Sequence, residues 1–173
     1  MRQEKLPPAE LSRELRLEEN DDLRRRRRVV GLSLLGAAIG GVVTAYQTGL
    51  IKRLPDILPG KFWNAEKVDA SDYAYKRLNM PDAPLMILTY GATAALAAAG
   101  GRDRANDDPA LPIALAAKAA FDFLTCLKLA REEWEENEAL CSWCQLATAI
   151  SGTTLAISLP EAAKAAGLGR AVA

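Results

Sequence analysis

The sequence predicts an all-α fold: a bundle of four transmembrane helices with a long outer loop between the first and second helices. Apolar blocks alternate with charged segments along the 173-residue chain, and two of the blocks, residues 29–51 and 83–100, carry no charged side chain. A soluble four-helix bundle, the alternative, needs a polar stripe along each helix, which these two blocks lack. Small residues dominate the blocks, as expected where helices pack closely in lipid.

The composition excludes several kinds of functional site. Lys+Arg and Asp+Glu balance at 22 each, so the net charge argues neither for nor against nucleic acid. We expect no nucleic-acid partner, because the one basic run adjoins an apolar block. The chain has no histidine, which excludes Cys/His zinc sites, Ser-His-Asp triads and haem ligation by histidine. The first 28 residues are charged and contain no apolar core or small-residue cleavage site, so we expect no signal peptide.

Residues 1–28 are predicted to form a polar cytoplasmic tail that is partly disordered. The tail ends in five consecutive arginines, residues 24–28, a run that by itself would indicate nucleic acid or a localisation signal. The run directly precedes an uncharged block, residues 29–51, that is long enough to cross a hydrocarbon core of about 30 Å. We therefore interpret the arginines as a topology anchor on the cytoplasmic face of a membrane.

The remaining segments complete a membrane domain predicted over residues 29–161, with a short tail at 162–173. Residues 52–82 hold three prolines, two tyrosines and a tryptophan, and they are predicted to form the long outer loop. Three further apolar blocks follow, separated by the polar turn 101–108 and the acidic turn 131–139: residues 83–100, 109–130 and 140–160.

The arginine run also predicts the topology of the chain. With the N-terminus inside, the long loop and the acidic turn lie outside, and the polar turn 101–108 lies inside. Basic residues in the loop weaken this assignment, but the arginine run dominates it: Lys52, Arg53, Lys76 and Arg77. The start of the fourth helix is therefore predicted to lie at the outer face.

Cys141 and Cys144 stand at the start of the fourth helix with a spacing of i, i+3. This spacing places both sulfurs on one helix face, where a disulfide can form, and a helix N-terminus stabilises a thiolate. C-x-x-C is the arrangement used in thiol–disulfide exchange. Zinc would need two further ligands and Cys126 is the only other thiol, so we expect no metal. Simple packing of both thiols in a helix interface remains the alternative.

Residues 28–161 resemble a bacterial member of the vitamin K epoxide reductase family. The resemblance rests on the four predicted helices, the long loop, the C-x-x-C that starts the fourth helix, and the segment with Val68, Ser71 and Tyr73, which is similar to the family's V-x-x-S-x-Y loop. It implies a thiol–quinone oxidoreductase of a bacterial cytoplasmic (inner) membrane, with quinone as co-substrate. Cys144 would pass electrons to the quinone and Cys141 would exchange with a protein thiol.

The resemblance also implies that Ser71 supports the site, although Ser71 is equally suited to be the N-cap of a short helix. The family usually has a pair of loop cysteines that carries electrons to the active pair, and one of them stands where this chain has Ala65. No cysteine occurs in residues 52–82, so we expect a separate thioredoxin-like protein to react with Cys141, unless this branch reacts differently. Cys126 is a less favoured partner thiol, and we expect it to be a small buried residue.

A quinone site requires an apolar pocket with a few polar groups at its mouth. The candidates for its lining are Trp143, Phe121, Phe123, Met86 and Tyr90, with Asp82 or Asn79 as hydrogen-bond partners. Lys118 and Asp122 stand four residues apart and can pair, either for function or only to neutralise each other within the membrane. Two other classes stay open: a non-catalytic membrane protein of the same fold, and a soluble helical interaction module.

Overall fold

The computed structural model describes residues 7–76 and 79–168 of the chain. These residues form helices and no strand, which confirms the predicted all-α class. The helices in chain order are α1 Pro8–Leu17, α2 Asp21–Gln47, α3 Ala65–Asp69, α4 Asp72–Tyr75, α5 Ala83–Ala98, α6 Arg104–Asp107, α7 Ala110–Asn137 and α8 Ser142–Ala165.

The long helices α2, α5, α7 and α8 pack as a bundle. Helix α2 lies against α5 and α8, and α7 lies against α8 and α5. Glycines allow close contact between these helices: a Cβ atom at Gly36 would stand 2.4 Å from the ring of Tyr90, and one at Gly152 would stand 3.0 Å from the ring of Phe123. This use of small residues is typical of helices that associate in lipid.

Two of the helices, α2 and α7, are long and apolar enough to cross a membrane, while α5 is apolar but shorter, with 16 residues. Large apolar side chains stand exposed on the outer surface of the bundle, among them Leu34, Leu88, Phe121 and Leu124. An apolar exterior of this kind is suited to lipid contact rather than to water. The presence of four spans remains a prediction.

Helix α2 begins well before the predicted span and includes the arginine run. The Asn20 side chain accepts a hydrogen bond from the backbone nitrogen of Asp22 at 2.8 Å and so caps the helix. Ion pairs between Asp21 and Arg24 and between Asp22 and Arg25, each at i, i+3, support this first turn. The arginines therefore continue the helix of the first apolar block.

Helix α7 also extends beyond the predicted block. The acidic segment 131–139, expected to be a turn, is helical as far as Asn137, and this expectation was wrong. Ion pairs at i, i+4 between Lys128 and Glu132 and between Arg131 and Glu135 stabilise the added turns. Residues 131–137 are charged or polar apart from Trp134, so they lie beyond the apolar part of the helix.

The segment between α2 and α5 folds across one end of the bundle, and we call its described part, residues 48–76, the covering loop. The backbone of the loop pairs with the α7–α8 connection, where Asn64 N donates to Leu140 O at 3.0 Å. Leu54, Ala65 and Val68 are buried in one apolar cluster together with Cys141. The covering loop therefore packs directly on the start of α8.

Candidate functional site

The cysteine pair lies at the N-terminus of α8. Cys141 is the N-cap residue, and its sulfur accepts a hydrogen bond from the backbone nitrogen of Cys144 at 3.3 Å. All three cysteines of the chain are free thiols in the structure. Cys141 is 0% exposed, whereas Cys144 is partly exposed. The two thiols are thus close enough for dithiol–disulfide chemistry, and Cys144 is the more accessible of the two.

A cavity of about 270 Å³ lies beside Cys144. Its walls come mainly from α5, α7 and α8, and Tyr73 of the covering loop closes one side. Of the residues predicted to bind a quinone, four line this cavity: Asp82, Met86, Tyr90 and Phe121. The structure therefore brings most of the predicted lining to the exposed member of the thiol pair.

The other predicted lining residues lie elsewhere. The indole nitrogen of Trp143 donates to Pro55 O at 3.0 Å, so this side chain contacts the covering loop. Phe123 packs against Gly152. Asn79 is exposed and has a left-handed backbone with φ of 56°. Helical periodicity explains the difference on α7, because Phe121 and Phe123 stand two residues apart and point to different sides of the helix.

Ser71 lies at the N-cap position of α4 but does not cap the helix with its side chain. Its hydroxyl donates to Val68 O at 2.7 Å and so closes the turn between α3 and α4. Ser71 is not among the residues that line the cavity. Its contact is therefore local, within the loop that covers the cysteines.

Asp56 fastens the covering loop to α8. Its carboxylate accepts hydrogen bonds from the Ser142 hydroxyl at 2.7 Å and from the backbone nitrogen of Ala65 at 3.0 Å. Ile57 N donates in turn to Ser142 Oγ at 3.0 Å. Because these bonds hold the loop over Cys141, a protein arriving from outside contacts that sulfur only after the loop has moved.

Two buried carboxylates flank the cysteine pair, and sequence reasoning missed both. Asp69 is 2% exposed and Glu133 is 3% exposed. One ligand atom of each of Asp69, Cys141 and Cys144 lies within 4.8 Å of the other two, and Asp69 Oδ2 has no hydrogen-bond partner among the described residues. These three groups are one fewer than the four ligands of a structural zinc site.

Glu133 connects the pair to the cavity. Its Oε2 atom accepts from Cys141 N at 3.2 Å and from the Gln145 side chain at 3.4 Å, and the residue also lines the cavity. Within residues 7–76 and 79–168, neither Glu133 nor Asp69 forms a salt bridge with a lysine or arginine. Two acidic groups therefore stand beside two thiols without a basic neighbour.

Burial changes the acidity of both carboxyl groups. It raises the pKa of Asp69 to about 7 against a lowering by hydrogen bonding with Cys141, and the charges of Asp82 and Asp56 add to the rise. Burial likewise raises the pKa of Glu133 to about 7, against hydrogen bonding with the Cys141 backbone, while the charge of Asp69 raises it further. Both groups can therefore exchange protons near neutral pH.

The sequence carries a signal for Glu133 in the spacing along α7. Asp122, Cys126, Leu129 and Glu133 recur at intervals of four, three and four residues, and all four line the cavity. Glu133 lies in the acidic segment that we expected to be a solvated turn. For that reason we did not assign it to this face of α7. Asp69 has a weaker signal, because it is one charged residue of many in a polar loop.

A second polar group lies deeper along the cavity. Lys118 pairs with Asp122 as the spacing predicted, and Lys118 Nζ also donates to Thr93 Oγ1 at 2.8 Å. The hydroxyl of Tyr90 donates to Ala147 O at 2.8 Å and lies 3.0 Å from Ser151 Oγ. These contacts fix the tyrosine ring in the cavity wall.

The helical bundle, its apolar exterior and the thiol pair beside an apolar cavity define a membrane protein suited to redox chemistry of thiols. The sequence model of the vitamin K epoxide reductase family matches residues 28–159. The chain therefore belongs to that family, as its resemblance predicted; members of the family are in general membrane-embedded oxidoreductases that use quinones. No curated protein and no solved structure matched the chain.

Proposed function

We propose that the protein is a membrane thiol–quinone oxidoreductase in which Cys141 and Cys144 form the redox-active pair. The observation that carries the proposal is the position of Cys144 in the wall of an apolar cavity, with Cys141 directly behind it at the helix N-cap. Overall, the dithiol becomes a disulfide and the quinone becomes a quinol. The two thiols lose two electrons and two protons. The quinone takes up the two electrons, and its two oxygens are protonated to give the quinol.

The reaction begins with the sulfur of Cys144 adding to a ring carbon of the quinone. The sulfur of Cys141 then attacks Cys144, so that the S–S bond forms, the C–S bond breaks and its electron pair returns to the ring. The backbone N–H of Cys144, which points at Cys141 Sγ from 3.3 Å, stabilises the attacking thiolate. This division of roles matches the burial of the two thiols.

The cavity is the proposed quinone site. An apolar cavity of about 150 Å³ is enough to bind benzene, so a volume of about 270 Å³ accommodates a quinone ring. Met86, Tyr90 and Phe121 supply apolar and aromatic surface, and Asp82 supplies a polar group at the start of α5. The isoprenoid tail of a membrane quinone would extend into the lipid.

The disulfide is then reduced by thiols of a separate thioredoxin-like protein, which is oxidised in turn. The absence of loop cysteines supports a direct reaction of that protein with Cys141. Because the sulfur of Cys141 is fully covered, the covering loop must open for this step. Opening breaks the hydrogen bonds that the Asp56 carboxylate accepts from the Ser142 hydroxyl and from Ala65 N.

The proposed setting is a bacterial cytoplasmic membrane crossed four times by residues 29–161. The N-terminus lies in the cytoplasm because of the arginine run, and the cysteine pair lies at the outer face. This placement would keep the pair in an oxidising compartment.

Quinone reduction by the purified, dithiol-reduced protein in detergent tests the proposal. Cys144→Ala should abolish the reaction, whereas Thr153→Ala, on the exposed side of α8, should leave it intact. Normal turnover in the Cys144 variant would reject the mechanism.

The full burial of Cys141 favours one alternative, a family member in which the pair is structural and no catalysis occurs. Thiol labelling with and without reductant separates the two functions. A pair that becomes labelled only after reduction is redox-active, and a pair that is inert in both states is structural.

A further inference from the structure

Oxidation of a dithiol by a quinone requires groups that accept and deliver protons. Histidine, the usual side chain for this task at neutral pH, does not occur in the chain. Cys141 is fully buried, and Cys144, which is partly exposed, lines an apolar cavity, so neither thiol has bulk water as its direct proton acceptor. The acceptors must therefore be side chains that touch the pair.

We infer that Glu133 is the catalytic proton carrier between Cys144 and the bound quinone, and that Asp69 accepts the proton of Cys141. The inference rests on the proposed function and assigns an acid–base pair to it. Glu133 has the required position because it adjoins the cysteine pair through Cys141 N at 3.2 Å and lines the cavity next to Cys144. Asp69 does not line the cavity; it lies beside the two sulfurs, and its Oδ1 accepts from the Gln47 side chain at 3.5 Å.

Two proton transfers accompany the two bond changes of the reaction. Glu133 takes the proton of Cys144 as this sulfur adds to the ring, and delivers it to a quinone oxygen. Asp69 takes the proton of Cys141 as that sulfur attacks Cys144, which forms the disulfide and returns the electron pair to the ring. The quinolate takes a second proton from solution as it leaves, and Asp69 releases the proton that it holds. Two electrons and, in net terms, two protons have passed from the thiols to the quinone.

The environment of the two carboxylates supports this assignment. Burying a charged carboxylate without a basic partner costs free energy unless the group can be protonated. Asp69 Oδ2 has no hydrogen-bond partner among the described residues, so it can take a proton from a thiol. Burial raises the pKa of each group to about 7, which suits a proton carrier that works at neutral pH. Strong perturbation of this kind concentrates at functional sites.

Other titratable groups lie near Glu133 and affect the pH at which it is protonated. Asp69 of α3 and the thiols of Cys141 and Cys144 are the nearest. Further titratable side chains line the same cavity: Tyr73, Asp82, Asp122 and Cys126. None of these is a lysine or arginine.

The test is single-turnover quinone reduction by the full-length, dithiol-reduced protein in detergent micelles, followed by quinone absorbance. The pH is varied over about one and a half units on either side of the Glu133 pKa of about 7. In wild type the rate should fall as pH falls through about 7, because Glu133 becomes protonated and can no longer accept. Glu133→Gln should lower the rate about 100-fold, leave the quinone concentration for half-maximal rate unchanged and leave only the part of the low-pH fall that protonation of Asp69 causes.

Three comparison variants sharpen the test. Glu133→Asp should regain part of the rate, which a purely structural role in packing would not predict. Asp69→Asn should slow disulfide formation but keep the fall in rate at low pH that protonation of Glu133 causes. Glu135→Gln, on the exposed face of the same helix, is the matched control and should behave as wild type.

The outcomes separate the two proposals. Absence of quinone reduction in wild type contradicts the proposed function itself. Wild-type turnover with an unchanged rate and pH profile in Glu133→Gln contradicts only the proton-carrier assignment. If Glu133→Gln does not fold, the profile of Asp69→Asn decides, because a rate in that variant that does not fall through pH about 7 overturns the assignment of Glu133.

Discussion

Ser142 Oγ donates a hydrogen bond to Asp56 Oδ1 at 2.7 Å and thereby ties the covering loop to the first turn of α8. The same aspartate accepts from Ala65 N at 3.0 Å, at the start of α3. One side chain thus joins two parts of the covering loop, around Asp56 and around Ala65, to the helix that carries the pair. Its loss should loosen the cover without touching either sulfur.

Asp56→Ala should therefore expose Cys141. A hydrogen bond to a charged group contributes about 1.5–3 kcal/mol, and each 1.4 kcal/mol changes an opening equilibrium about tenfold. In a background of Cys126→Ser and Cys144→Ser, we expect maleimide to label Cys141 at least about ten times faster in the Asp56 variant. Asp72→Ala, an exposed position of the same loop, should not change the labelling rate. Equal rates in the two variants would contradict the role of Asp56.

The opposite end of the bundle depends on Arg26. Its guanidinium donates to Ala97 O at 2.9 Å and to the oxygens of Ala99, Gly100 and Gly101 at 2.8–3.1 Å. These are carbonyls at the C-terminus of α5, where a helix has no partners of its own. The arginine run therefore stabilises the bundle in addition to any influence on topology.

Arg26→Ala should destabilise the protein by about 3 kcal/mol, because the Gly100 and Gly101 carbonyls lose the Arg26 donor and those of Ala97 and Ala99 keep only Arg104. Thermal unfolding in detergent micelles measures the effect. Arg28→Ala removes an exposed member of the same run and should change the midpoint little. A similar loss in both variants would indicate that the charge of the run matters, rather than the contacts of Arg26.

The close contact of α2 with α5 gives a further prediction. A Cβ atom at Gly36 would lie 2.4–2.6 Å from atoms of the Tyr90 ring, and hydrogen bonds to Ala147 and Ser151 hold that ring in place. Gly36→Ala should cost about 1–3 kcal/mol and weaken quinone binding, since Tyr90 lines the cavity. Gly41→Ala meets no atom within 4 Å and should be neutral or slightly stabilising.

The apolar blocks predicted the cores of the long helices because local composition determines whether a segment can bury or face lipid. The blocks did not predict the helix ends. Helix α2 starts at Asp21 and α7 runs to Asn137 because ion pairs one turn apart stabilise charged turns as helix. Charge alone does not distinguish a solvated turn from such an extension.

The cysteine pair followed from spacing, since C-x-x-C at a helix start places its sulfurs regardless of tertiary context. Much of the cavity lining followed from residue type, because a quinone pocket needs apolar and aromatic side chains with a few polar groups. Asp69 and Glu133 could not be found in this way. Their burial arises from the covering loop folding onto α7 and α8, contacts between segments that are distant in sequence. Phe123 shows the same limit, because its neighbour on the far side, Gly152, comes from another helix.

The pairing of Lys118 with Asp122 yields the last prediction. Thr93 completes the group by accepting from Lys118 Nζ at 2.8 Å, and Asp122 lines the cavity. Removal of one partner leaves the other charge unpaired inside the bundle, which costs about 3–5 kcal/mol, whereas neutral replacement of both costs much less. Lys118→Met should therefore destabilise the protein strongly, and adding Asp122→Asn should recover most of the loss. Unfolding in mixed detergent micelles, arranged as a double-mutant cycle, measures the coupling. Additive effects of the two substitutions would show that the pair does not neutralise itself between the helices, and would point instead to separate roles for the two side chains in the cavity.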